Sequence, residues 1–279
     1  MAFIEVGAFA RDSLAGGEGE VCAVFRRSVY LRFGAKRYAC IGDHSLGRGP
    51  LNVLVSDWRR LASLAVGDRF GLSTAGATLW QPTRLPRSVS GPRLAARIDA
   101  LTRAAAGRTP GEGLGGAITG ATSSLLEYAR PALAALDQWL AGSPRDPVPA
   151  QAEMLIGLGP GLTPSGDDYL AGMLIALRAL DRAEAAAALW RWLEARADRG
   201  TSEISAAHLA AAAAGEAHEA LHDCLNALLG AKAPRWKARF AQLDRVGHCS
   251  GWDGLAGALA VARQVIGSAT SSPPARRKS

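Results

Sequence analysis

The residues best suited to chemistry lie in a phrase that the chain writes twice. Ser165-Gly166-Asp167-Asp168-Tyr169-Leu170-Ala171-Gly172-Met173-Leu174 returns 85 positions later as Ser250-Gly251-Trp252-Asp253-Gly254-Leu255-Ala256-Gly257-Ala258-Leu259. Each copy reads as a helix start, with a Ser N-cap, an acid three positions on and a face of small residues. Two such starts facing one another would make a polar pocket. The first copy follows Gly157-Leu158-Gly159-Pro160-Gly161-Leu162-Thr163-Pro164, and three alternate glycines free that backbone to approach a ligand closely. The first N–H groups of the helix and its dipole favour an anion, with Thr163 and Ser165 adding hydroxyls. Gly157, Gly159, Gly161, Thr163, Ser165 and Gly166 are therefore candidate substrate-binding residues, the alternative being a tight turn that lets two helices pack. No Lys follows the glycines as in a nucleotide-binding P-loop, and their spacing is not a dinucleotide fingerprint.

Asp168 and Asp253 each follow a Ser by three residues, where a capping role and a chemical role are equally open. Asp167 has no counterpart, because Trp252 holds its place. A further carboxylate beside an anion site is costly unless it binds a metal or accepts a substrate N–H. His248, just before the second Ser-Gly, has the chemistry of a general acid or base, or is a surface loop residue. Asp167, Asp168 and His248 are the catalytic candidates, while Thr201, Ser205, Ser250 and Asp253 complete the binding set. Thr201 or Ser202 also suits the N-cap of a further helix. His218-Glu219-Ala220-Leu221-His222 fits the zinc pattern H-E-x-x-H. No Glu follows Glu219, however, and Leu225 and Leu228 stand where an extended motif needs Gly and His. No metal is assigned to it, and nothing calls for a cofactor.

The elements that position these residues change character along the chain. Val21–Phe33 is rich in strand formers, with a turn at Gly34-Ala35-Lys36 and a hairpin partner at Arg37–Ile41. Further strands are expected at Leu51–Val55 and 66–72, the latter pairing with Ala77–Trp80. Helical periodicity then covers 94–106 and 118–140, where Pro131 should break or kink the helix. It continues over 166–180, 182–198, 202–214, 216–229, 235–244 and 251–267. The expected fold is α+β: a small β-rich domain at 1–90, barrel-like or sandwich-like, then a larger helical domain at 91–267 and a disordered tail at 268–279.

The 279 residues are 48% hydrophobic, ample for a core, and no run is long and apolar enough to span a membrane. Four scattered cysteines without C-x-x-C spacing and no secretory signal point to the cytoplasm. The net charge of +7 owes part of its excess to Arg276, Arg277 and Lys278. With basic residues otherwise dispersed, nucleic acid is not an expected partner, whereas a small anion is.

The run from Gly157 to Asp168, followed by Leu-Ala-Gly, resembles the signature of a family long labelled a domain of unknown function, which includes a subunit associated with oxamate carbamoyltransferase in allantoin (purine) breakdown. Gly49-Pro50, Thr201 with Ser205, and Gly-His-x-Ser-Gly-x-Asp-x-Leu-Ala-Gly extend the resemblance. It implies phosphorolysis of oxalurate to oxamate and carbamoyl phosphate, or the reverse, carried out together with other enzyme subunits in an oligomer. The implied ligand is carbamoyl phosphate, oxamate or a similar small anion. The other functions left open are a non-catalytic structural or regulatory subunit and a zinc hydrolase built on His218 and His222.

Overall fold

A computed structural model describes residues 3–85, 89–143, 145–232 and 234–270. The first part carries strands β1 (Phe3–Gly7), β2 (Gly19–Val24), β3 (Ser28–Phe33), β4 (Arg37–Gly42), β5 (Asn52–Val55), β6 (Arg69–Phe70) and β7 (Thr78–Trp80), with helix α1 (Ala8–Leu14) after β1. They form one seven-stranded sheet in the order β6-β2-β3-β4-β5-β1-β7. The β4–β5 and β1–β7 pairs are parallel, and the other pairs are antiparallel.

The sheet departs from expectation in two places. The strand-forming run Val21–Phe33 is two strands, because Phe25 N–H donates to the Ser28 carbonyl (2.7 Å) and closes a turn across Arg26-Arg27. The expected β3–β4 hairpin is present. The β6 and β7 strands do not pair with one another: β6 adds to β2, and β7 adds to β1 at the opposite edge.

Strand alternation separates the sheet's two faces. Val29, Leu31 and Phe33 of β3 with Ala39 and Ile41 of β4 pack on Ala10 and Leu14 of α1. Tyr38 of β4 instead meets Ile204 and Ala211, with Tyr30 of β3 packed against them. That second face therefore abuts the helices.

The helical part runs α2 (Gly91–Ala105), α3 (Ser124–Ala141), α4 (Ser165–Ala179), α5 (Ala183–Gly200), α6 (Glu203–Ala214), α7 (Glu219–Leu229), α8 (Trp236–Leu243) and α9 (Ser250–Thr270). Residues 271–279 of the expected tail lie outside the described residues. Helix α3 runs through Pro131 without a break. Its buried stripe of Leu126, Ala129, Ala132, Leu136 and Trp139 holds the helix against the core despite the missing N–H.

Helices α4 and α9, the two copies of the repeated phrase, form the centre of the core. A Cβ at Gly172 would fall on the carbonyl of Gly254, and one at Gly257 on the carbonyl of Tyr169. Position 254 is the repeat-mate of 169, and 257 that of 172, each 85 residues on. The contacts are therefore reciprocal, and the two copies pack as a pseudo-two-fold pair whose close approach only glycine permits. No helix among the described residues is long and apolar enough to cross a membrane.

Candidate functional site

The starts of α4 and α9 meet at a cavity of about 410 Å³ between the helices and the second face of the sheet. Neither phrase caps itself as expected. Helix α4 is entered from Pro164, whose carbonyl accepts from the N–H groups of Asp167 (3.0 Å) and Asp168 (3.1 Å), with no side-chain cap. Ser165 is consequently inside the first turn, and its hydroxyl faces the Asp253 carboxyl of the other copy. Reciprocally, the Ser250 hydroxyl faces Asp168 and lies 3.1 Å from Thr163 Oγ1. Each serine thus serves its partner's acid.

The two acids have different supports. Asp253 is fully buried, and its Oδ1 accepts the N–H groups of Leu114 (2.7 Å) and Gly115 (2.8 Å). Burial pushes its carboxyl up to about 6, against the pull of Ser165 and the two N–H donors. Burial also drives Asp168 well above the usual carboxylate range, with the Asp253 and Asp167 charges adding and Ser250 and Thr163 opposing. The Oδ2 atoms of both acids are buried without a hydrogen-bond partner, although both residues line the cavity.

Asp167 is placed elsewhere. Its oxygens accept from Gly157 N–H (2.9 Å), the Thr201 hydroxyl and the Ser205 hydroxyl (2.7 Å), and it does not line the cavity. It pins the glycine loop to the start of α6, which Ser202 caps through Ser205 N–H. Gly157, Gly159, Gly166, Thr201 and Ser205 stand with it behind the wall, while Gly161, Thr163, Ser165 and Ser250 reach the cavity. The N–H groups of Gly166, Asp167 and Asp168 already have carbonyl partners, as do those of Gly251, Trp252 and Asp253. Little of either helix dipole is therefore presented through open donors.

His248 is exposed at the mouth, its Nε2 3.0 Å from Glu112 Oε2. With Cys249 it forms a group whose ligand atoms lie within 4.8 Å of one another, the one such group of three among the described residues. The H-E-x-x-H residues do not converge. His222 Nε2 accepts from Ala217 N–H (3.1 Å), Glu219 pairs with Arg48 (2.9 Å), and His218 precedes α7.

Sequence reasoning missed the opposite wall and one loop. His218 stacks on His208 with ring centroids 5.7 Å apart, and His208 Nε2 lies 3.4 Å from the Tyr30 hydroxyl. Burial holds His208 down to about 3 and His218 down to about 4, so this wall presents neutral imidazoles. Arg245 adds a cation to the lining. The loop that supports Asp253 is Gly111-Glu112-Gly113-Leu114-Gly115-Gly116. Its glycine density, comparable to that of 157–161, was the available signal. A Cβ at Gly113 would stand only 2.7 Å from Asp253 Oδ1.

Fold and site together define an α+β protein with a buried-carboxyl cavity between a mixed sheet and a pseudo-symmetric helix pair. Residues 155–262 match the family described as oxamate carbamoyltransferase subunit AllH, the family that the loop signature resembles. The matched segment includes both copies of the phrase and ends within α9. No curated protein matches the chain, and no solved structure does.

Proposed function

We propose that this chain is a subunit of an oxamate carbamoyltransferase-type enzyme, and that its cavity holds a small metabolite carrying both an amide and an anionic group. The observation that carries the reading is the pair of buried carboxyls, one from each phrase, whose unpartnered Oδ2 atoms belong to residues lining one cavity. A neutral carboxyl is the complement of a primary amide: its O–H donates to the amide oxygen, and its carbonyl accepts an amide N–H. Asp168, whose carboxyl burial raises well above the usual carboxylate range, suits that pairing. Asp253, titrating near neutrality, accepts a second N–H. Arg245 suits the carboxylate or phosphate end of the same molecule.

Oxamate and carbamoyl phosphate each carry both groups. The family's description as a subunit supports partner chains that complete the enzyme. Asp167, Thr201 and Ser205 act in this reading by holding the loop, and the glycine loop contributes shape and hydroxyls more than an anion nest. The test is calorimetric titration of the purified chain with oxamate, carbamoyl phosphate and oxalate, which lacks the amide. Oxamate is expected to bind at least about tenfold more tightly than oxalate, because an unanswered buried carboxyl penalises the wrong ligand. Equal affinity for the two would remove the amide reading.

A further inference from the structure

The mouth of the cavity carries a second set of groups that the amide reading does not use. Glu112, on the loop that supports Asp253, meets His248 and Cys249 just ahead of α9, and all three line the cavity. A carboxylate oxygen, an imidazole nitrogen and a thiol sulfur lie within 4.8 Å of one another. Ligands of a tetrahedral zinc ion, at about 2.0–2.3 Å from the metal, stand roughly 3.5 Å apart, so a small side-chain closure completes the set. His248 and Glu112 are exposed and free to make it.

The donor types discriminate among metals. Thiolate and imidazole disfavour magnesium and calcium, and together with one carboxylate they suit zinc. A second observation points the same way. One helical turn beyond Cys249, whose carbonyl accepts from Asp253 N–H (3.0 Å), Asp253 keeps a fully buried carboxyl with an orphaned Oδ2 on the same cavity wall. Cys249 is thus fixed on the cavity wall beside a buried acid whose second oxygen has no protein partner.

We propose that Glu112, His248 and Cys249 form a three-ligand zinc site at the cavity mouth, with its fourth position open towards the cavity. Binding releases the Cys249 thiol proton to solvent, and the thiolate, imidazole and carboxylate become the ligands. The inference shares the cavity with the amide-binding reading but does not depend on which metabolite enters.

The site is tested without any metabolite. The full chain is loaded with zinc, dialysed and analysed for metal, and in parallel loaded with cobalt for its thiolate-to-cobalt charge-transfer absorption. About one zinc per chain is expected, together with that absorption band. Cys249→Ser should abolish the band and, like His248→Ala, weaken zinc binding at least about tenfold with an unchanged melting profile. His218→Ala and Asp168→Leu should leave zinc content as it was. Zinc retained undiminished in Cys249→Ser and His248→Ala, or no zinc bound by the unmodified chain, would overturn the proposal. Zinc retained beside equal affinity for oxamate and oxalate would instead refute the amide reading alone.

Discussion

The two starts of the repeated phrase share a backbone plan and differ in what fixes them. At the first, Asp167 is a polar pin, drawing Gly157, Thr201 and Ser205 onto one carboxyl. At the second, Trp252 occupies the equivalent place as an apolar pin. It packs on Phe240 with ring centroids 4.9 Å apart and donates from Nε1 to Asp244 (2.8 Å). The next position is Asp in both copies and faces the shared cavity in both. Positions 167 and 252 thus hold different neighbours, whereas 168 and 253 carry the same acid. The repeat builds the frame and contributes the pair of acids; the pins only anchor it.

The sharpest way to break the comparison is at the reciprocal glycines. Gly172→Ala and Gly257→Ala each drive a Cβ into a backbone carbonyl of the partner helix. Each should cost on the order of 4 kcal/mol or prevent folding, as read by urea denaturation. A large effect at only one of them would refute the pseudo-symmetric packing.

The pins come next. Asp167→Ala strands three donors and should cost about 3 kcal/mol by the same measurement. Trp252→Ala should cost a similar amount, about 3 to 5 kcal/mol, through the cavity it leaves. Loss of stability at Trp252 alone would mean that Asp167 does not pin the frame.

The acids give a smaller, pH-dependent effect. Asp253 titrates at about 6 in the folded chain against an ordinary 3.8. The folded state therefore retains a proton that the unfolded state has released, and stability falls as pH rises from about 4 through 6. The shift corresponds to roughly 3 kcal/mol. The groups facing Asp253 are Asp168 on α4, Ser165, and Cys249 ahead of α9. Asp253→Asn keeps an oxygen for Leu114 and Gly115 and should flatten this dependence in denaturation curves taken between pH 4 and 7. A residual slope of the same sign should remain from Asp168, whose carboxyl is also raised. An unchanged slope would show that Asp253 is ionised throughout.

The smallest effect tests the cross-pairing. Ser165→Ala and Ser250→Ala should each cost about 1 kcal/mol and by similar amounts, since each serves the acid of the other copy.

Much of the frame was legible in the sequence, because α4 and α9 announce themselves by apolar spacing, small residues and an acidic first turn. What the spacing could not convey was direction. The Ser-x-x-Asp pattern has the form of a self-contained cap, and only the close approach of the two helices turns each serine towards the other copy's acid. The β1 strand and α1 escaped notice because Phe3–Gly7 passes into Ala8–Leu14 with no proline or polar turn cluster between them. With β1 unseen, the true partner of β7 was hidden, and parallel pairing leaves no local turn signal to reveal it. In the site, Asp168 and Asp253 were visible as types at a spacing. Tyr30, His208, His218 and Arg245 come together from four separate elements and carry no shared pattern.

In the proposed function the paired acids, and not the glycine loop, recognise the ligand. Oxamate titrated calorimetrically into Asp168→Leu tests this most directly. The substitution removes an unpartnered buried oxygen together with the one that faces Ser250 and Thr163, so a cost of about 1 kcal/mol is expected and the variant should still fold. Oxamate binding to the folded variant should fall at least about tenfold. Unaltered affinity in a folded Asp168→Leu variant would contradict the account.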